Sequence, residues 1–434
     1  MRTFIIIWLG QTASLLGSQM TTFAITIWAW EQTSQATPLS LIIFFTEVPA
    51  LIAAFFGGMF VDRFNRKRLM ILGDGVAALS TLAILLLLVS DRLEIWQFYL
   101  TGAINGLFGS LQWLAYSASM SVIVPKQHYT RVSAMESLQG FGSGVIAPAL
   151  AGALYVVTGL LGILAIDLLS FLIALSTLCF AQIPQPKLSQ VGQQRTQNLW
   201  QELTFGFRYL FQRPSLVAIM LFVLTFSFFD TASAFNATAA PMILARTDNN
   251  AAILASVQAA IGLGGMTGAL ALSLWGGTKR RVHGLLLGAA LGFGGEMILG
   301  LGRVPAVWLI AGFFGAFFIP FSNSSYQAIW LAKVEPDVQG RVFAARSFLS
   351  QITVPLGYLI AGPLADFVFE PAMMPGGSLA PLLGSIFGTG TGSGMALQFS
   401  FFSLCAVLLS LSCYALPVLR EVDDRLPDHD AVAG

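Results

Sequence analysis

The chain has 434 residues, of which 56% are hydrophobic and only 10% are charged. Soluble proteins carry about a quarter charged residues, so this composition argues against a soluble protein and indicates one with many membrane helices. The net charge of +1 gives no basis for binding nucleic acid, and the three cysteines and three histidines lack metal-ligand spacing. We therefore expect no nucleic-acid partner, no metal and no cofactor.

Twelve segments are long and apolar enough to cross a bilayer as helices, which takes about 20 residues. A chain in lipid has to satisfy its own backbone hydrogen bonds, so each segment is predicted to be a helix. The predicted spans are 4–30, 38–61, 69–90, 95–123, 133–158, 161–181, 214–240, 250–275, 282–302, 304–332, 341–369 and 394–419. The predicted fold class is all-α integral membrane.

The basic residues predict the orientation of these spans. With the amino terminus inside, 19 of the 22 Lys and Arg residues fall on the cytoplasmic side, and only Arg92, Arg246 and Arg303 fall on the other. The positive-inside rule then places both termini in the cytoplasm. We expect a multi-pass protein of the bacterial cytoplasmic (inner) membrane.

The segment 182–213 separates two groups of six spans, and its second half has the pattern of an amphipathic helix at the membrane surface. The predicted domains are an N-terminal half (1–181), this linker, a C-terminal half (214–419) and a disordered tail (420–434). The outward loop 370–393 is rich in Gly, Pro and Ser, and its shape cannot be predicted.

The two halves resemble each other in sequence. The stretch from Val124 to Val132 (VPKQHYTRV) resembles residues 334–342 (VEPDVQGRV), and Tyr326 follows Tyr116 at the same spacing of 210 residues. Such matches in consistent order indicate an internal duplication, with parallel repeats about an axis along the membrane normal.

A charged hairpin follows the second span, where Gly58-x-x-x-Asp62-Arg63 leads into Asn65-Arg66-Lys67. This pattern resembles the signature loop between helices 2 and 3 of the major facilitator superfamily, with Asn65 at the place of the usual glycine. Asn tolerates a left-handed turn conformation, which we predict here. The resemblance implies twelve helices in two pseudo-symmetric six-helix halves, and it agrees with the spans, the central linker and the repeats.

We predict that this hairpin and the starts of the fifth and eleventh spans form a gate. Asp62 and Arg66 are expected to act as a latch that stabilises the outward-facing state. Glu136 and Arg346 occupy equivalent repeat positions and are expected to pair between the halves, although positive-inside anchoring explains the arginines as well. The gating residues are Gly58, Asp62, Arg63, Arg66, Lys67, Arg131, Glu136, Arg341 and Arg346.

The fifth span resembles the Gly-Pro motif of the superfamily's antiporters, with two alanines in place of glycines. Its motif residues are Gly140, Gly144, Ala147, Pro148 and Gly152. Together with Gly10-Gln11, Gly206-Phe207-Arg208 and Gly340-Arg341-Val342, it resembles the third drug:proton antiporter branch, which contains macrolide and enterobactin exporters.

The resemblance implies that the first, fourth, seventh and tenth spans line a central cavity. Polar residues on these spans are candidates for binding cargo, and the alternative is that they bond across helices and stabilise packing. They are Gln11, Ser14, Ser18, Asn105, Gln112, Tyr116, Asn236, Asn323, Tyr326 and Gln327.

Four carboxyl residues lie inside predicted spans: Glu47, Asp74, Asp230 and Glu296. A charge at mid-membrane costs at least ~2.5–3.5 kcal/mol, and removal from water favours the protonated form of a carboxyl group. We predict that these residues couple proton movement, with Glu47 and Asp230 as the main carriers. The alternatives are a structural hydrogen-bonded carboxyl, membership of the hairpin charge network for Asp74, and solvation near the outer surface for Glu296.

We conclude from the sequence that the protein is a secondary active transporter. The predicted function is proton-coupled efflux of a bulky amphipathic organic molecule, such as a drug, macrolide, siderophore or secondary metabolite, by alternating access. Uptake or lipid flipping on the same fold is the alternative. An enzyme needs a convergent nucleophile and base or metal ligands, which the spans lack, and a scaffold has little need for intramembrane carboxylates. The expected partners are a small-molecule substrate, protons and the lipid bilayer, and we expect a monomer.

Overall fold

The computed structural model describes residues 1–183, 199–335 and 338–422, with the backbone alone at 58–59, 62–63, 121, 126, 130 and 199–204. Every regular element in these ranges is helical, which confirms the all-α class. The helices are α1 (Arg2–Thr33), α2 (Ala36–Arg63), α3 (Arg66–Val89), α4 (Ile95–Ile123), α5 (Tyr129–Phe180), α6 (Leu199–Phe211), α7 (Pro214–Ala232), α8 (Ala240–Arg246), α9 (Ala251–Trp275), α10 (Arg281–Leu301), α11 (Pro305–Lys333), α12 (Gln339–Leu364), α13 (Glu370–Met373), α14 (Ala380–Phe387), α15 (Ser393–Ser412) and α16 (Pro417–Arg420).

Nine helical segments within the described ranges are long and apolar enough to cross a membrane. They are Ala36–Gly57, Arg66–Val89, Arg131–Phe180, Pro214–Arg246, Ala251–Trp275, Arg281–Leu301, Pro305–Lys333, Gln339–Met373 and Ser393–Ala415. The long helices α1 and α4 lie outside this set, and both carry polar side chains along their length. The total of twelve crossings stays a prediction.

The backbone of α5 breaks at Gly159, between two of the predicted spans. Gly159 has φ 60° and ψ −164°, a conformation that only glycine adopts readily. Among the described residues, no atom lies within 4 Å of the position that a Cβ would take there. Backbone conformation, rather than lack of space, therefore requires glycine at this break.

Contacts divide the chain into two compact units. Unit 1 comprises Met1–Thr196 and Ile243–Ala259, and unit 2 comprises Gln197–Met242 and Ala260–Gly434. In unit 1, α1 packs along α5 and α2 packs along α4; in unit 2, α10 packs against α11 and α15, and α12 packs against α7. The predicted boundaries of the two halves stay a prediction. Most of the tail and residues 184–198 of the linker lie outside the described residues.

The hairpin between α2 and α3 has a different backbone from the one predicted at Asn65. Asn65 has φ −67° and ψ 117°, an extended backbone conformation. Its Oδ1 accepts a hydrogen bond of 3.1 Å from the Arg68 N–H. The prediction of a left-handed turn is wrong, because Asn65 is the N-cap of α3. An N-cap residue takes an extended backbone and satisfies a free N–H group of the first helical turn.

The second half of the linker forms α6, which packs on α12 within unit 2. Gly206 lies against the Arg341 carbonyl and Ala345, where an added Cβ would come within 2.8 Å of the Ala345 Cβ. The Arg341 guanidinium lies 4.1 Å from the ring centre of Phe205, a cation–π contact. The glycine therefore allows the close approach that these side chains then hold.

Tyr209 anchors the end of α6 to the segment after α11. Its hydroxyl donates a hydrogen bond to Glu335 Oε2, and Arg213 lies 3.6 Å from Glu335 Oε1 and over the Tyr209 ring. Burial, and then the hydrogen bond to Glu335, raise the pKa of the Tyr209 hydroxyl above its ordinary value of 10.0. The linker helix is thus fixed to unit 2 by its apolar face and by this polar cluster.

The outward loop whose shape could not be predicted is organised by Glu370 and Arg303. Glu370 Oε1 accepts the N–H groups of Gly392 (2.9 Å) and Met395 (3.2 Å) and so caps the start of α15. The Arg303 guanidinium donates to three carbonyls at the end of α14, those of residues 384, 385 and 386. Both charged side chains satisfy helix-end groups that have no partner inside the helix.

Candidate functional site

A carboxyl group in unit 1, that of Asp74, is bound by two glutamine amides. Gln11 Nε2 donates to Asp74 Oδ2 at 2.8 Å, and Gln112 Nε2 donates to Oδ1 at 2.7 Å. Gln112 also donates to Gln11 Oε1 at 3.1 Å, and Asp74 is only 1% exposed. Two predicted cavity residues and one predicted proton site therefore form a cluster that joins α1, α3 and α4. The partners of Asp74 are neutral amides and not the cations of the hairpin.

A second buried carboxyl group of unit 1, that of Asp167 in α5, was not among the predicted sites. It is 1% exposed, and its Oδ2 accepts hydrogen bonds from Thr21 (2.9 Å) and Thr81 (3.2 Å). Its Oδ1 accepts longer ones from Ser18 and Ser170, both 3.4 Å. The signal that could have found it is a single ionisable residue in an otherwise apolar span, which marks a functional candidate.

Tyr116 of unit 1, predicted to line the cavity, is 4% exposed and stacks on Trp113 with ring centres 5.8 Å apart. Its hydroxyl is buried and has no hydrogen-bond partner, and the nearby carboxyl group of Glu136 acts on it electrostatically. Asn105 Oδ1 is likewise buried without a partner. These groups have polar atoms free for a ligand.

Of the remaining predicted residues of unit 1, Ser18 joins the Asp167 cluster, whereas Ser14 and Glu47 have no described hydrogen bond to either buried carboxyl group. Ser14 is buried, and Ser18 donates to Asp167 as described above. Glu47 is half-buried, and no described side chain donates a hydrogen bond to it. Unlike Asp74 and Asp167, Glu47 therefore has no described hydrogen bond that stabilises its charged form.

Two carboxyl groups come together in unit 2. Asp230 is the central residue of the span Pro214–Arg246, and Glu296 of α10 interacts electrostatically with it. Glu296 also lies beside Ser403 of α15, whose hydroxyl is fully buried and makes no hydrogen bond of good geometry. Asp230 keeps an exposed side chain and Glu296 a partly exposed one. Within the described residues no Lys or Arg pairs with either carboxyl group, and we call them the carboxyl pair.

Gln398 of α15, another residue that the sequence did not single out, supports the helix that carries Asp230. Its Nε2 donates to the carbonyls of Ala232 (3.2 Å) and Ala361 (2.8 Å), and its side chain is fully buried. Ala232 ends α7, just before the π-helical turn Phe235–Ala239 that contains the half-buried Asn236. Carbonyls at such a break need a partner when no water is present.

Arg346 of unit 2 lies among aromatic side chains. Its guanidinium carbon is 4.9 Å from the ring centres of Tyr326 and Phe343 and 5.3 Å from that of Trp330. Its Nη2 donates to Gln327 Oε1 at 2.9 Å. One predicted gating residue and two predicted cavity residues therefore share a site, which we call the arginine cluster. Asn323 lies on α11, the helix of Tyr326 and Gln327, and is exposed.

The basic residues of the hairpin act inside unit 1. Arg66 Nη1 donates to the Ala118 carbonyl at 2.7 Å. Lys67 Nζ donates to the carbonyls of Cys179 (2.9 Å) and Ala181 (2.8 Å). These carbonyls lie near the C-terminal ends of α4 and α5, where cations interact favourably with the helix dipole.

Other parts of the predicted gate are not tested by these contacts. Gly58 and the side chains of Asp62 and Arg63 lie outside the described part of the structure, so the latch stays a prediction. Arg131 is exposed and Glu136 is half-buried. Arg341 lies over Phe205, as described above.

The antiporter motif of α5 requires a close approach at only one of its glycines. Gly152 lies against Ala255 and the Ala251 carbonyl, whereas no atom of the described part of the chain is within 4 Å of a Cβ built at Gly140 or Gly144. Ala147 is fully buried, and Pro148 lies inside the helix.

Comparisons with known proteins agree with this fold. The sequence profile of the Major Facilitator Superfamily matches residues 7–358. The chain is 27% identical to macrolide efflux protein A of Streptococcus pyogenes over 369 residues, which cover 84% of this chain and 89% of the relative. It is 23% identical to the enterobactin exporter EntS of Shigella flexneri over 307 residues, 70% of each protein.

Two solved structures show the same fold at low sequence identity. A bacterial homologue of the human lysosomal transporter Spinster, inward-facing and unoccupied, has a TM-score of 0.68 and 15% identity, with 96% of both chains covered. The nucleoside transporter NupG has a TM-score of 0.66 and 12% identity, covering 96% of this chain and 99% of its own. The profile spans most of the sequence and the fold agrees with it. The chain therefore belongs to the Major Facilitator Superfamily, and it is a multi-pass membrane transporter of small molecules rather than an enzyme.

Proposed function

We propose that the protein exports bulky amphipathic organic molecules across the bacterial cytoplasmic membrane in exchange for protons, by alternating access. The observation that supports this most is the carboxyl pair, Asp230 and Glu296, in membrane-spanning helices of unit 2. The names of relatives that export macrolides and enterobactin support the direction and the cargo class. The distribution of basic residues supports cytoplasmic termini.

The carboxyl pair has the properties that a proton carrier needs. Two negative charges close together and away from water are unfavourable, and a proton on one of the carboxyl groups removes that cost. Proton exchange further requires that water reach the exposed residue Asp230 in at least one conformation. Coupling then requires that the protonated and ionised forms favour different conformations or bind cargo differently.

The carboxyl groups of unit 1 differ in the number of hydrogen bonds that stabilise their ionised forms. Asp74 and Asp167 accept two and four side-chain hydrogen bonds, which stabilise the ionised form. Glu47 accepts none from the described side chains. We propose that Glu47 is the second proton carrier and that Asp74 and Asp167 hold helices together.

Transport driven by a pH gradient in proteoliposomes tests the proposal, with a macrolide and enterobactin as cargo probes. We expect D230N, E296Q and E47Q to lose gradient-driven transport while they retain exchange of cargo across the membrane without a gradient. D248N is the control, since Asp248 is an exposed loop residue with φ 50°, a conformation that Asn tolerates.

Two results would contradict the proposal. Full gradient-driven transport in both D230N and E296Q would remove the carboxyl pair from proton coupling. Gradient-driven movement of cargo in the same direction as protons would replace export by uptake.

A further inference from the structure

Three polar atoms of the arginine cluster are buried without a hydrogen-bond partner. They are Arg346 Nη1, Tyr326 Oη and Trp330 Nε1. Trp330 is fully buried, and its N–H approaches Tyr326 Oη without reaching the geometry of a hydrogen bond. A buried donor that stays unpaired is unfavourable. The cluster thus presents donors for which none of the described side chains provides an acceptor.

The charge of Arg346 is also uncompensated within the described part of unit 2. Three aromatic rings stabilise its guanidinium through cation–π contacts. The guanidinium also donates a hydrogen bond to the neutral Gln327 Oε1. No Asp or Glu of the described part of unit 2 forms an ion pair with it. A planar guanidinium with free N–H groups is suited to binding the two oxygens of a carboxylate or a similar anion.

The equivalent position of unit 1 has the opposite charge. Tyr116 matches Tyr326 in the repeat and also has a buried hydroxyl without a partner, but the charged group near it is the carboxyl group of Glu136. Both units therefore have a tyrosine at this position. The charged group beside it is a cation in unit 2 and an anion in unit 1. Unit 2 offers positive charge at this position, together with the unpartnered N–H of Trp330, and unit 1 offers negative charge.

We propose that Arg346, Tyr326 and Trp330 form a subsite for an anionic oxygen group carried on an aromatic part of the transported molecule. The inference rests on the proposed export function, because it names the class of cargo. The rings of Tyr326, Trp330 and Phe343 provide apolar walls, and the three free polar atoms face the oxygens. An anionic lipid headgroup offers the same chemistry, so the experiment has to separate the two sources.

Calorimetric titration of the purified protein in dodecyl maltoside tests the subsite, with 1-naphthoate and the neutral 1-naphthamide as probes. We expect wild type to bind naphthoate about tenfold or more tightly than naphthamide, since hydrogen bonds to charged groups are the stronger ones. R346Q should lose this preference, and R346K should keep part of it because it keeps the charge without the planar fork. Y326F removes one hydroxyl group, and W330F removes the indole N–H together with part of the ring; both should weaken naphthoate binding several-fold.

The control is R92Q, because Arg92 is an exposed residue of the loop before α4. It should bind both probes as wild type does. Equal binding of the two probes by wild type, or an unchanged preference in a folded R346Q protein, would overturn the proposal. Thermal unfolding of each variant establishes that it is folded.

Titration in nanodiscs separates cargo from lipid. If phosphatidylglycerol occupies the subsite, naphthoate preference will be present in phosphatidylcholine discs and absent when phosphatidylglycerol is added, which would overturn the cargo assignment. We expect the preference to persist in both. A lost preference together with intact gradient-driven transport would therefore reject the subsite and leave the export function standing.

Discussion

Glu296 of α10 lies within electrostatic reach of Asp230, the central residue of the span that begins at Pro214. Their helices belong to unit 2, and Ser403 of a third helix lies beside Glu296. The two carboxyl groups are 66 residues apart in the sequence, so only the fold brings them together. Because the two groups interact electrostatically, we expect that a proton on one changes how readily the other ionises.

This relationship predicts that D230N and E296Q are not additive. Residues that act as a unit lose most of their function when either one is changed. We expect the rate of gradient-driven transport to fall by about tenfold or more in each single variant. The double variant should be no slower than the more impaired of the two single variants. Initial transport rates in proteoliposomes measure this. Multiplied losses in the double variant would show that the two carboxyl groups act independently.

The hydroxyl groups around Asp167 predict a stability effect in unit 1. Thr21→Val removes a 2.9 Å hydrogen bond to a buried carboxyl group and should lower the free energy of unfolding by about 1.5–3 kcal/mol. The neighbouring Thr22→Val is the matched control, because Thr22 is exposed and bonds only the Ser18 carbonyl. Thermal unfolding in detergent compares the two variants. Equal melting temperatures would contradict a structural role for the Asp167 cluster.

The hydrogen bonds of Lys67 predict that the hairpin stabilises the end of α5. Lys67→Met removes the donor to the Cys179 and Ala181 carbonyls, which should cost about 0.3–1 kcal/mol, as for cations at helix C-termini. Because Cys179 is exposed, maleimide labelling at this cysteine should become faster in the variant. The exposed neighbour Arg68, changed to Met, should leave labelling unchanged. Identical rates in both variants would mean that Lys67 does not hold this helix end.

The cluster around Tyr209 predicts how stability depends on pH. Its pKa is raised in the folded state by burial first and by Glu335 next, so the folded protein binds this proton more tightly than the unfolded chain does. The contribution to stability is complete below pH 10 and is lost as the pH rises through the folded-state pKa. Above about pH 10, we expect the melting temperature of Tyr209→Phe to fall less steeply with pH than that of wild type. A decline in Tyr209→Phe as steep as that of wild type would contradict the assignment.

Hydrophobic length and charge predict much of this fold from the sequence. The apolar runs around Glu47 and Asp74 lie in long helices, and the amphipathic pattern after residue 198 marks α6. These features depend on local composition, which a single sequence contains. The break at Gly159 is also local, yet it is read as a short gap between spans rather than as one residue with positive φ.

Pairings between distant residues are what the sequence does not reveal. Gln11 and Gln112 are candidates for cargo binding by position, but the structure shows that both bind Asp74. The arginine cluster likewise combines a predicted gate residue with two predicted cavity residues. Long-range packing decides which polar groups satisfy each other, and no local pattern records it.

Proton release on cargo binding is the most direct measurement of coupling at the carboxyl pair. Purified protein in a weakly buffered solution with a pH indicator reports protons released when a macrolide or enterobactin is added. We expect wild type to release protons on binding, and D230N and E296Q to bind the same cargo without release. Equal proton release by wild type and both variants would show that Asp230 and Glu296 do not carry the exchanged proton.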